Sequence, residues 1–117
     1  MIINADEITN AVNNITLSIM TADTYKAVCE YLRIDPAETD ESTTIKMLMT
    51  VAKSYILDYT AIPEEEIDNY KDLQLAFMVL IGEMYDNRVY TIDNSKVNPL
   101  VKSILQLHNR NEVGILD

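Results

Sequence analysis

Residues 71–87 read KDLQLAFMVLIGEMYDN, and this run carries apolar residues on nearly every side of a helical wheel. Leu73, Ala76, Phe77, Leu80, Ile81 and Met84 follow the i, i+3, i+4 spacing of one face. Leu75, Met78 and Val79 fill the other, where a surface helix would keep a polar stripe. The stretch therefore predicts a buried central helix wrapped by other helices of the chain or of neighbouring copies. It is too short to cross a bilayer, which takes roughly 20 apolar residues, and Lys71, Asp72, Glu83 and Asp86 bracket it. Gly82 in its interior costs about 1 kcal/mol relative to alanine, which points to another backbone passing close by.

Working outward, the segments on either side also read as helices. Thr21 is placed to cap a short helix over about residues 22–32, with Tyr25, Val28, Cys29 and Leu32 on its apolar face. Asp35-Pro36 then stops it, because the residue before proline is pushed out of helical geometry. From about Asp40 to Tyr59, the positions Ile45, Leu48, Met49, Ala52, Ile56 and Tyr59 keep helical spacing. Met47, Met49, Met78 and Met84 are expected to fill gaps between helices. Pro63 followed by Glu64, Glu65 and Glu66 reads as a short helical turn with acids at its positive end. After the central helix, residues 88–98 form a loop with room for a short strand at Val89-Tyr90-Thr91-Ile92. Asn98-Pro99 opens a last helix, with Leu100, Val101, Ile104, Leu105 and His108 on one side. Residues 1–20 admit a helix through Ile8, Val12, Ile15 and Ile19. Their end also alternates, as Ile15-Thr16-Leu17-Ser18-Ile19, in the manner of a strand; the helix is preferred. The expected fold is a single all-α domain over 1–117, a bundle of four to five helices, with an N-terminal extension (1–20) and a C-terminal tail (109–117).

At 117 residues, the chain can bury about two thirds of the surface it exposes when unfolded, and no Gly-, Ser- or Pro-rich linker divides it. Its single cysteine, Cys29, allows no internal disulfide, and no basic segment precedes an apolar run at the start. Both features lead us to expect a cytoplasmic protein. The net charge is -10, and it is unevenly placed: residues 35–72 hold ten acids against three bases. Such a surface lacks the basic stripe that gripping phosphates requires. The chemistry of catalysis is equally thin. His108 has neither a cysteine partner nor a glutamate three residues before it, so zinc and diiron spacings are missing. Two glycines offer no phosphate-cradling loop. Paired carboxylates such as Glu64 and Glu65 sit at exposed helix starts, where nothing raises a pKa for acid catalysis. No enzyme, cofactor or metal centre is expected.

Four pieces of the sequence carry a resemblance: TADTYKAVCEYLRID (21–35), AKSYILDYT (52–60), IDNYKDLQLAFMVLIGEMYDNR (67–88) and VNPLVKSILQLHNRN (97–111). In this order the chain resembles the small head-tail connector, or DNA-packaging, proteins of long-tailed double-stranded DNA phages. The most specific parts are EYLRID, MYDNR and VNPLVKSIL-x-x-H; residues 1–20 have no counterpart. The resemblance implies a helical adaptor made in the bacterial cytoplasm and built into the virion neck. There it would form a ring of twelve or thirteen copies beneath the portal, with DNA as passing cargo and no sequence-specific or membrane binding. It also implies contacts to neighbouring copies, the portal and a tail-side completion protein. The residues are Arg88, Tyr90, Ile92, Asn94 and Lys96 in the loop, and Arg110, Val113, Ile115 and Leu116 at the tail. Glu64, Glu65 and Glu66 are candidates for an acidic solvent or channel surface. The alternative is a small helical regulator that binds DNA or a protein partner outside any particle, its helix-turn-helix formed by the short helix over about residues 22–32 and the long helix over about residues 40–59. Acids at 35–41 oppose docking of that motif on phosphates.

Overall fold

The computed structural model describes residues 15–37 and 39–110. It is all-helical among these: α1 (Ala22–Tyr31), α2 (Ser42–Thr60), a 3₁₀ helix over Glu64–Asn69, α3 (Lys71–Asn87), a 3₁₀ turn over Asn94–Lys96, and α4 (Pro99–Leu107). No membrane-length apolar helix occurs among them.

α3 is the hub, touching α1, α2, α4 and the first 3₁₀ helix. Leu73, Ala76, Phe77, Met78, Leu80, Ile81, Gly82 and Met84 are buried along it. Its wrapping is incomplete, since Leu75, Val79 and Glu83 are half-buried and Lys71 and Asp86 exposed, so one edge of the helix stays at the surface. Gln74 is also buried, with its Oε1 unpaired, a cost of about 1–3 kcal/mol. α2 supplies Ile45, Leu48, Met49, Ala52 and Ile56 as the facing wall, and α1 adds Ala27, Val28 and Cys29. Burial pushes the Cys29 thiol above its ordinary pKa, which keeps it a neutral packing group. Met47 does not fill a gap: it lies on the outer side of α2, 45% exposed.

Helix starts follow the side chains expected of them. Thr21 Oγ1 accepts from the Thr24 amide at 3.1 Å, and Asn98 Oδ1 from the Leu100 amide at 2.8 Å. Helix ends do not use glycine. α1, α2 and α3 close through Arg33, Ala61 and Arg88 in the left-handed region, with φ of 63°, 57° and 54°. α1 thus ends before Asp35-Pro36, closed by the Ile34 amide donating to the Cys29 carbonyl at 2.8 Å.

Gly82 meets a ring and not a backbone. A Cβ built there would lie 2.9 Å from Tyr31 Cε2. We expect Gly82→Ala to destabilise by about 1 kcal/mol, overpacking outweighing the gain in helix propensity. In a Tyr31→Ala background the same change should instead stabilise by about 1 kcal/mol. Urea unfolding of the four proteins measures this, and an equal loss in both backgrounds would clear Tyr31 of the role.

Residues 15–20 are neither helix nor strand. They form an irregular strap, bent at Leu17, Ser18 and Ile19, whose Ile15 and Leu17 are buried, while Ile19 is 69% exposed. The helix expected over residues 1–20 does not extend through Ile15 and Ile19, and its other positions, Ile8 and Val12, lie outside the described residues; a polar latch holds residues 16–18. Asp68, near the end of the first 3₁₀ helix, accepts from the Leu17 amide at 2.6 Å, the Ser18 amide at 3.2 Å and the Ser18 hydroxyl. Thr24 Oγ1 accepts from the Thr16 amide and donates to the Thr16 carbonyl, both at 3.1 Å. Lys53 Nζ donates to the Ser18 carbonyl at 3.0 Å.

Candidate interaction surface

The loop after α3 is built by local chemistry. Arg88 reverses the chain, and the Val89 amide returns to the Met84 carbonyl at 3.1 Å. Asp93 Oδ1 accepts from both the amide and the hydroxyl of Ser95, at 2.9 and 2.7 Å. That pairing nucleates the 3₁₀ turn and holds the Asp93 carboxyl below its ordinary pKa. No strand forms at 89–92, because this extended run has no neighbouring strand to pair with among the described residues. The loop is pinned to the body instead. Tyr55 donates its hydroxyl to Asn94 Oδ1, and Asn98 Nδ2 donates to Glu83 Oε1 at 2.9 Å.

Beneath this loop runs a groove of about 510 Å³. Leu80 and Met84 line it from α3, Val89, Ile92 and Val97 from the loop, and Glu83, Asp93 and Lys96 contribute its charges. Val89 and Tyr90 stand 50% and 39% exposed, while Ile92 packs against the core.

The basic residues expected to meet a partner are largely engaged within the chain. Arg88 donates to Glu41 Oε1 at 2.9 Å and stacks 4.5 Å over the Tyr85 ring. Arg110 donates to Glu66 Oε2 at 2.7 Å and to the Tyr70 hydroxyl at 3.0 Å. Lys96 is exposed on the loop. Among the three glutamates, Glu64 pairs with Lys53 at 3.0 Å and Glu66 with Arg110. Glu65 is exposed and has no ionic partner among the described residues. Val113, Ile115 and Leu116 lie outside the described residues. His108 is half-buried, 2.7 Å from Asp72 Oδ2 and with its ring 4.9 Å from that of Tyr70, which fixes the end of α4 on the start of α3. No group of three or more His, Cys, Asp or Glu suited to hold a metal occurs among the described residues.

Two features escaped the reading of the sequence. The first is the outer side of α4. Its buried side is Val101, Ile104 and Leu105, whereas Leu100 stands 53% and Leu107 80% exposed on the other. Five large apolar residues in nine positions exceed what one face can bury, and that excess was the available signal. The second is a clasp joining the start of α2 to the end of α3. Glu41 accepts from the Tyr85 hydroxyl at 2.6 Å as well as from Arg88. The Tyr85 hydrogen bond first, and Arg88 second, hold the Glu41 carboxyl below its ordinary 4.5. Donating to Glu41 raises Tyr85 above its ordinary 10.0. A depressed carboxyl stabilises above its unfolded value and loses that contribution as pH falls through the folded one. A raised tyrosine stabilises below its unfolded value and loses that contribution as pH rises through its folded one. The clasp should therefore be strongest between the two ranges. Denaturation midpoints followed across pH should fall less steeply on the acid side in Glu41→Gln than in the parent protein.

No family model, curated protein or solved structure matches this chain.

Proposed function

We infer that the chain is a structural subunit of a phage neck, a head-tail connector that assembles as a ring beneath the portal and lets DNA pass. The observation that carries this reading is the pinned loop over residues 88–98. It is held to the body by side chains at Asn94 and Asn98, yet presents Val89 and Tyr90 to solvent. A preorganised apolar projection of this kind suits repeated contact between protein surfaces. The all-helical body and the ordered resemblance at EYLRID, MYDNR and VNPLVKSIL-x-x-H support it. The surface charge of -10 suits a passage to which nucleic acid must not adhere.

Electron microscopy of negatively stained protein, alone and mixed with its portal, tests the proposal. Rings of connector density on the portal are expected, and a monomer in isolation is compatible with assembly on a template. Failure to associate with the portal under any condition would overturn it. The regulator reading loses ground because the bases of α2 are occupied: Lys46 lies 5.2 Å over the Tyr25 ring, and Lys53 holds Ser18 and Glu64. A gel-shift assay at low salt separates the two, with tight sequence-specific binding favouring the regulator.

A further inference from the structure

We propose that the pocket between α2, the 3₁₀ turn over Asn94–Lys96 and α4 is a carboxylate-binding site, which takes an acidic side chain from a segment of a partner protein. Tyr55, Tyr59, Asn94 and Lys102 line it, around a space of about 210 Å³. That is smaller than the roughly 300–1,000 Å³ usual for a small-molecule pocket, and it suits a group the size of one aspartate or glutamate side chain. Contacts among the lining residues fix its walls. Tyr55 and Tyr59 stand one turn apart on α2, with ring centres 6.0 Å apart and planes tilted by 47°. The Tyr55 hydroxyl donates to Asn94 Oδ1. Burial, and then the neighbouring Tyr59, push its pKa above the ordinary 10.0, so it remains a donor.

With Asn94 Oδ1 occupied, the lining has mainly donors left to offer. The Asn94 amide nitrogen, the Tyr59 hydroxyl and the Lys102 ammonium have no hydrogen-bond partner among the described residues. One ammonium beside two neutral donors is the set that a carboxylate satisfies through charge-assisted hydrogen bonds. The rest of the chain's charge singles this lysine out. Nineteen acids stand against nine bases, and Lys53, Arg88 and Arg110 are each paired with a glutamate. Lys46 lies over the Tyr25 ring, and Lys96 shares its groove with Glu83 and Asp93. Lys102 lines a concavity to which no acid contributes. The acids next to it in sequence stay outside: Asp58 is exposed, and Asp93 is turned onto Ser95. A nucleic-acid phosphate is the weaker fit. Gripping a phosphate backbone takes several bases in a row, and one lysine on a body of net charge -10 does not supply them.

The site does not depend on the connector reading and can be tested on the full chain alone. Nitrogen-15 NMR follows a titration with acetate to about 100 mM, ionic strength being held constant with chloride. Saturable shifts should centre on the Asn94 side-chain amide, Tyr59 and Lys102, and acetamide should produce none. A blocked Gly-Glu-Gly peptide should bind at least as tightly as acetate, and its Gly-Gln-Gly counterpart roughly tenfold more weakly or worse. Lys102→Met should weaken acetate by roughly tenfold or more, Tyr59→Phe by less, and Lys96→Met not at all. Circular dichroism verifies that the three variants fold. Absence of saturable shifts, shifts that persist in Lys102→Met, or an equal loss in Lys96→Met would each overturn the inference. So would tighter binding of inorganic phosphate than of acetate, or acetate binding that the glutamate peptide fails to reproduce.

Discussion

Replacing Asp68 with alanine should lower the stability of the fold by about 2–4 kcal/mol, far more than a half-exposed carboxylate ordinarily contributes. The carboxylate is the shared acceptor for the Leu17 amide, the Ser18 amide and the Ser18 hydroxyl. Without it, two backbone donors lose their partner while the strap still has to hold Leu17 at 0% exposure. The strap then either stays with unsatisfied amides or detaches and surrenders roughly 1.5–3 kcal/mol for each buried side chain. Leu17→Ala should cost about 2–5 kcal/mol by the usual core penalty. The discriminating measurement is the double variant. If Asp68 and Leu17 act through one strap, losing both should cost little more than the larger single loss, a coupling of about 1–3 kcal/mol. Hydrogen exchange at the Leu17 and Ser18 amides should accelerate together in either single variant. Strict additivity, with unchanged exchange, would show that the strap is not a cooperative part of the fold.

Phe77→Ala is expected to cost about 3–5 kcal/mol. Phe77 is the chain's single phenylalanine and lies at 0% exposure in the middle of the helix that α1, α2 and α4 all touch. Its removal opens a cavity that three different elements would have to collapse to fill, so relaxation cannot recover much of the loss. Set against the 5–15 kcal/mol typical of whole domains, that is about a fifth of the total or more. Denaturant unfolding should show a lower midpoint with an unchanged slope. A loss below about 1 kcal/mol would mean that the core is loosely packed around α3 and that the helix is not the hub.

How much of this was legible in the chain follows from how far apart the interacting residues lie. The central helix spans Lys71–Asn87 as its apolar density indicates, and Thr21 and Asn98 cap their helices as their side chains dictate. These are local effects, decided within one or two turns. The strap is not local: its latch pairs Leu17 and Ser18 with a residue fifty positions away, and nothing near Ile15 announces it. The extended character of residues 89–92 is real as a preference, but a strand exists only by pairing. On the interaction surface, the loop and its turn chemistry were readable, while the occupation of Arg88 and Arg110 by Glu41 and Glu66 was not. A formal charge in a sequence does not reveal whether a folded neighbour already compensates it.

The left-handed closures at Arg33, Ala61 and Arg88 bear on any attempt to engineer a hardier version of this protein. Substituting glycine at such positions is a common recipe, because a side chain there costs about 1–2 kcal/mol in the native conformation. Glycine also widens the repertoire of the denatured chain, returning roughly 0.4–1 kcal/mol to the unfolded side. At Arg88 it would further sever the bond to Glu41. Ala61, whose side chain has no polar group to lose and which stands exposed, is the one corner of the three where that recipe stands to gain.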